Sequence, residues 1–257
     1  MRRRTPTAVL AALVTLALLL FGGPAAARAE SPGCTPDIGV GSAQGLDSLL
    51  TLVDQIRAQG GETAEVDRAL AERACLVRPY AGGGADIPPA EGLTVTAPDV
   101  YLVSTVDGVD RWVAITDWSF GALPTAPMTG NQAVATWFNK PVRPVLQVVH
   151  HGGWTSAYPN TSSEQAADVN EYGVGFLIAA QKSAEDMNVA TGRSALVFEG
   201  SGPCTELRAR AAFAHTWNDT SIDSLHITAT GPALGWTSLE DRALSYSAPT
   251  RVVDVCG

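Results

Sequence analysis

Lysine is nearly missing from this chain: there are two, Lys140 and Lys182, in 257 residues, and only four histidines. Arginine brings the basic total to 17, set against 26 acidic side chains. Every acidic residue lies at position 30 or later, whereas Arg2, Arg3, Arg4 and Arg28 precede it. From residue 30 onward the balance is therefore 26 acidic to 13 basic, a formal charge of −13. Such a surface repels phosphate backbones and anionic lipid headgroups, and no cluster of Lys or Arg offsets it. Nucleic acid is not an expected partner.

Several catalytic signatures are missing as well. There is no G-x-S-x-G nucleophile elbow. The triplet Gly82-Gly83-Gly84 is followed by no lysine, so it is not a phosphate loop, and neither a dinucleotide fingerprint nor an EF-hand is present. The four cysteines show no C-x2-C spacing of the zinc type. No cofactor and no metal site are expected. His215 and His226 lie on neighbouring strand candidates, but without a recognised ligand spacing.

The N-terminus has the three-part layout of a secretory signal. Met1-Arg2-Arg3-Arg4 is a positive leader, residues 8–21 are an apolar run of fourteen residues broken only by Thr15, and Ala27-Arg28-Ala29 fits a small-residue cleavage site. The run is shorter than the roughly 20 residues a membrane span needs, and nothing later in the chain is longer. The expectation is a signal peptide at 1–29 and a secreted, extracellular mature chain with no stable membrane span. Cys34, Cys75, Cys204 and Cys256 then read as disulfides, an even number in an oxidising compartment. Cys34–Cys75 and Cys204–Cys256 are the favoured pairs, because each closes a module local in sequence. The matches Asn160-Thr161-Ser162 and Asn218-Asp219-Thr220 to a glycosylation acceptor are read as chance, and Asn218-Asp219 as a turn.

Leu46, Leu49, Leu50, Val53 and Ile56 recur at intervals of three and four, which predicts a helix over 46–57 stopped by Gly60-Gly61. A second helix fits 63–76, with Thr63 as N-cap and Val66, Ala69, Leu70 and Ala74 on one face. Residues 30–80 thus read as a disulfide-tied α-helical hairpin, and the Gly- and Pro-rich 81–92 as a linker. From 93 to 257 the period changes to two. Strands are expected at Leu93–Ala97, Asp99–Val106, Arg111–Trp118, Ala133–Phe138, Val145–His151, Gly173–Ala180, Ala195–Glu199, Thr205–Trp217, Ser224–Thr230, Leu244–Ser247 and Arg251–Val255, with an Asp107-Gly108 hairpin turn. Thr205–Trp217 reads as a strand with one wet face, and Ser163–Asn170 as the one helix among the strands. The fold class is mainly β: an antiparallel β-sandwich, jelly-roll-like, preceded by the helical hairpin.

Candidate ligand contacts concentrate in Val149–Tyr158, where a strand runs out into a Gly-containing loop. Trp154 and Tyr158 offer flat faces for a sugar ring, and His150 or His151 a hydrogen bond. Adjacent strand residues face opposite ways, so the two histidines do not share a metal. The competing explanation is that these rings cap the sandwich core. Trp118, at a strand end beside the Pro-rich loop 119–130, is a further exposed platform. These features point to a non-catalytic binding module for an extracellular glycan or another surface ligand. The alternatives are a secreted glycan hydrolase using Asp117 or Glu199, and a secreted inhibitor presenting loop 119–130.

Overall fold

A computed structural model of the chain describes residues 34–79, 92–106 and 109–257. The expected signal peptide, nearly all of the expected linker and the expected Asp107-Gly108 turn lie outside the described residues. Cys34–Gly257 form one compact unit. Its described residues form two helices, α1 (Ala43–Ala58) and α2 (Thr63–Ala74). The strands are β1 (Leu93–Val95), β2 (Asp99–Val106), β3 (Val109–Phe120), β4 (Asn131–Phe138), β5 (Val142–Gly152), β6 (Thr161–Ser163) and β7 (Asp168–Asn170). They continue with β8 (Gly173–Ala179), β9 (Thr191–Gly200), β10 (Thr205–Thr216), β11 (Ile222–Thr228), β12 (Gly231–Trp236), β13 (Arg242–Tyr246) and β14 (Thr250–Val255).

All named strand pairs are antiparallel. One sheet runs β1-β3-β9-β5-β6, with β2 also on β3; the other runs β13-β10-β4-β8-β7, with β14 also on β10. The two face each other as a sandwich, and the mainly β expectation holds. Alternation fills the space between them: Trp112, Trp118, Phe120, Leu196 and Phe198 come from the first sheet, and Val134, Phe138, Phe176, Leu207 and Phe213 from the second. Full burial of each such side chain contributes about 1.5–3 kcal/mol.

Each sheet is also covered on its outer face. Tyr101, Val113, Ile115, Val148, Ala195 and Val197 of the first sheet meet Leu46, Leu49, Leu50 and Val53 of α1 and Val66 and Leu70 of α2. The predicted apolar stripe of α1 is the one that is buried. Ser42 caps α1 by accepting from the Gly45 N–H at 3.1 Å. The N-cap of α2 is Glu62, one residue before the expected Thr63, because Glu62 and Glu65 form a capping box; Cys75 closes the helix in a left-handed conformation. Cys34–Cys75 and Cys204–Cys256 are bonded as favoured.

On the second sheet the outer face carries Ala133, Ala135, Ala212 and Ala214, small enough for the β11–β12 hairpin to lie on them through Ile222, Leu225, Ile227, Leu234 and Trp236. This corrects the wet face expected for β10: over residues 211–216 both of its faces are buried. The helix expected at Ser163–Asn170 is also absent. That segment holds the end of β6, a loop and β7, because edge pairing to β5 and β8 takes its backbone hydrogen bonds. Among the described residues no helix is long and apolar enough to cross a membrane.

Candidate functional site

The centre of the helix-facing side of the first sheet is apolar, but its rim carries charge. Asp117 on β3 stands opposite Arg193 on β9, which stands opposite His150 on β5. Above this row lies α1, whose Asp47 and Asp54 are seven residues apart and so share one flank of the helix, beside the buried stripe. His150 is buried and fits between them. Its Nε2 lies 2.7 Å from Asp47 Oδ1 and its Nδ1 2.9 Å from Asp54 Oδ2. Carboxylates accept, so both contacts are hydrogen bonds only when both ring nitrogens carry protons. Asp54 also pairs with the Arg193 guanidinium, whose Nε is 2.8 Å from Asp117 Oδ1. A continuous chain of ionisable side chains therefore runs Asp47–His150–Asp54–Arg193–Asp117.

Burial alone would raise the Asp47 carboxyl, but hydrogen bonds from His150 and Ser162 and the charge of His150 hold it below its ordinary value. Burial and the Asp99 charge push Asp117 the other way, up to about 7, against the pull of Arg57 and Arg78. Burial also brings Arg193 down to about 10.

A groove of about 430 Å³ opens over His150. One wall is the α1 flank with Asp47, Thr51, Asp54, Gln55 and Ala58; the other is Asn160, Thr161 and Ser162 at β6. Eight of its nine lining residues are polar.

The β5–β6 connection is held by Asp186. Its buried carboxylate accepts from the Trp154 N–H at 2.9 Å, the Thr155 N–H at 3.0 Å, the Thr155 hydroxyl at 2.6 Å and the Met187 N–H at 2.8 Å. Gly153 lies against the same carboxylate, where an added Cβ would come within 2.3 Å of Oδ2. Trp154 leaves this anchored turn 42% exposed. The return limb of the same connection supplies Asn160.

The residues expected from sequence divide accordingly. Trp154 is exposed and Tyr158 half-buried. His150 belongs to the groove floor, bound to helix residues rather than presented by a loop. His151 faces the opposite side of β5 and donates from Nδ1 to the Asn188 carbonyl at 2.7 Å. Burial keeps its ring below the usual imidazole range, although that hydrogen bond acts to raise it.

Trp118 is a correction. It is 2% exposed, its Nε1 donates to the Val189 carbonyl at 3.1 Å, and it offers no face to a ligand. Gly192, its partner across the sheet, makes the room: an added Cβ there would sit 2.1 Å from the indole.

The carboxylates considered for hydrolysis do not meet. Asp117 pairs in register with Arg193 and Glu199 with Arg111, six residues further along β9. At about 3.3 Å per residue the two are some 20 Å apart, far beyond the roughly 5–9.5 Å of a glycosidase pair. Glu199 is instead held by Arg111 and Arg143. His215 faces the sandwich interior against Phe120 and Trp217, while His226 lies on the outer hairpin, 3.0 Å from Asp168. They do not converge on a metal. Asp47, Thr51, Asp54, Gln55 and Arg193 were not among the candidates drawn from the sequence. The signal available was the Asp47–Asp54 spacing beside the apolar stripe.

No protein-family model matches the chain, and no curated protein matches it. Among solved structures it is similar to AvmM, described as catalysing macrocyclization in alchivemycin A biosynthesis. That likeness is 13% identical, covers 64% of this chain and 90% of the other, and has a TM-score of 0.28.

Proposed function

We propose that this protein is a secreted, non-catalytic module that binds an extracellular glycan in the groove between α1 and the β5–β6 connection. The observation that carries this reading is the groove's lining, eight polar residues of nine around about 430 Å³. Sugar hydroxyls both donate and accept. Asp47 accepts from them, Gln55 and Asn160 do both, and the hydroxyls of Thr51, Thr161 and Ser162 adapt to either role. Trp154, exposed on the connection that forms one wall, provides the apolar face on which a ring stacks. Secretion is supported by the N-terminal signal pattern and by two disulfides. The non-catalytic part is supported by the two carboxylates considered for hydrolysis, Asp117 and Glu199, which stand some 20 Å apart, at about 3.3 Å per residue along β9.

The test is retention of the purified mature chain on insoluble polysaccharides and bacterial cell walls, with reducing-sugar release measured in the same tubes. Retention without release is expected, and it should be lost in Thr51→Arg, which fills the groove from an exposed helix position, and in Trp154→Ala. Retention that survives both changes refutes the site. Sugar release refutes the non-catalytic reading. No retention on any glycan refutes glycan binding.

A further inference from the structure

The groove does not end at Asp47. Beyond it lies a second hollow of about 270 Å³, formed by Gln44 of α1, Val148 of β5, and Ser163 and Glu164 at the end of β6. Asp47 and Ser162 line both spaces and stand at their junction. Together the two follow α1 from Gln44 to Ala58, about 21 Å at 1.5 Å per residue. A single sugar does not fill a space of that length; a chain of them does.

The charge of the lining is one-sided. Among the described residues, thirteen border the two hollows, and none of these is Lys or Arg. The one basic group, His150, is buried with both nitrogens on Asp47 and Asp54. Asp54 is in turn balanced by His150 and Arg193. What remains facing solvent is negative: Asp47, whose side chain is 40% exposed, and Glu164, also exposed. A uronate, sulfate or phosphate on the ligand would meet these two with only the buried His150 behind Asp47 to offset them, whereas an ammonium group is attracted by both.

Building on the glycan reading, we propose that the two hollows are subsites of one trough, and that its ligand is an extended glycan chain bearing protonated amino groups. Asp47 at the junction and Glu164 in the outer subsite supply the counter-charges. The experiment is calorimetric titration of the mature chain with chitosan hexamer and dimer, and with their fully N-acetylated equivalents. It is run at low salt and at about 0.5 M, where screening is nearly complete beyond a few ångströms. The amine hexamer is expected to bind about fivefold more tightly than the N-acetylated hexamer, the scale of one or two exposed ion pairs. That advantage should shrink in high salt and fall to about twofold in Glu164→Gln, a surface change that spares the fold. The amine dimer should bind more weakly than the hexamer. Equal binding of the two hexamers, or a preference unchanged in Glu164→Gln, overturns the amine assignment. If the N-acetylated hexamer binds equally well and its binding is lost in Thr51→Arg, the groove reading stands while this proposal falls. Binding of neither hexamer overturns the proposal, and the polysaccharide retention assay then decides separately whether glycan binding falls with it.

Discussion

Asp54 tests the buried charge chain most directly, because it is the link with two partners. One oxygen accepts from His150 Nδ1 at 2.9 Å and the other pairs with Arg193. Arg193 stands near the middle of the first sheet with its side chain 14% exposed. In Asp54→Ala the guanidinium is left with Asp117, a carboxyl that burial itself discourages from ionising, and His150 is left with Asp47. Breaking a buried pair from one side costs about 3–5 kcal/mol. Here the open groove lets water reach the vacated space, so the lower end of that range, about 3 kcal/mol, is the expected loss. With a urea slope near 3 kcal/mol/M for a chain of this size, the unfolding midpoint should fall by about 1 M. Urea titration followed by circular dichroism reads this out. Asp54→Asn, which keeps an oxygen for His150 but loses the charge, should fall by about half as much. Adding Arg193→Leu to Asp54→Ala should recover part of the loss, because the stranded charge goes with it. A midpoint shift below about 0.2 M, or a double variant less stable than Asp54→Ala alone, would refute the claim that these groups form a buried, mutually dependent set.

Asp117 and Asp186 predict opposite pH dependences. The folded chain holds a proton on Asp117 up to about pH 7, whereas an unfolded aspartate releases it near 3.9. The associated stability is full below about pH 4 and is lost as pH rises through 7, so the stability of the wild type relative to Asp117→Asn should decline across that window; a constant difference in urea midpoints from pH 4 to 8 would sink the assignment. Burial alone would raise Asp186, but the Thr155 hydroxyl and the N–H groups of Trp154, Met187 and Thr155 hold it below its ordinary value. Its stability is present above about pH 3.9 and is lost as pH falls through the lowered folded value. Asp186→Asn should cost about 1.5–3 kcal/mol at neutral pH, flatten the acid limb and speed hydrogen exchange at residues 153–158; unchanged exchange there would show that the turn does not depend on this carboxylate.

Period-two patterning made eleven of the fourteen described strands and their order along the chain legible, with ends wrong by a few residues. The strands it missed share a physical cause. Thr161-Ser162-Ser163 and Asp168-Val169-Asn170 are three-residue edge strands with almost no apolar side chain, and their pairing is set by neighbouring β5 and β8 rather than by their own composition. Gly231-Pro232-Ala233-Leu234-Gly235-Trp236 reads as punctuation until β11 is found beside it. The alanines at 133, 135, 212 and 214 lie on the second covered face, which was read as wet on β10, because small side chains on a strand do not say what approaches them. The site was half legible. Trp154 and His150 were picked out from their loop and strand end; Asp47 and Asp54 were not, although their seven-residue spacing on α1 was there to read. Their convergence was not legible, since His150 lies roughly a hundred residues from either aspartate and meets them only through the packing of α1 on the first sheet.

The charged rim also explains why the groove has one shape. The stripe Leu46, Leu49, Leu50, Val53 packs α1 on the sheet, but apolar contact is tolerant of sliding. Moving the helix by one turn, about 5.4 Å, would still present leucine and valine to the sheet over much of the interface. The carboxylates allow no such shift. One turn either way replaces Asp47 and Asp54 over His150 with Thr51 and Ala58, or with Ala43 and Leu50, and leaves the buried imidazole without its carboxylates and Arg193 with Asp117 alone. The groove wall, with Thr51, Gln55 and Asp47 aimed across at Asn160 and Ser162, exists only in that one register. Stability and binding are consequently coupled through Asp54: a variant there that lets α1 slide must lose ligand affinity as well as its unfolding midpoint, whereas Trp154→Ala must lose affinity alone.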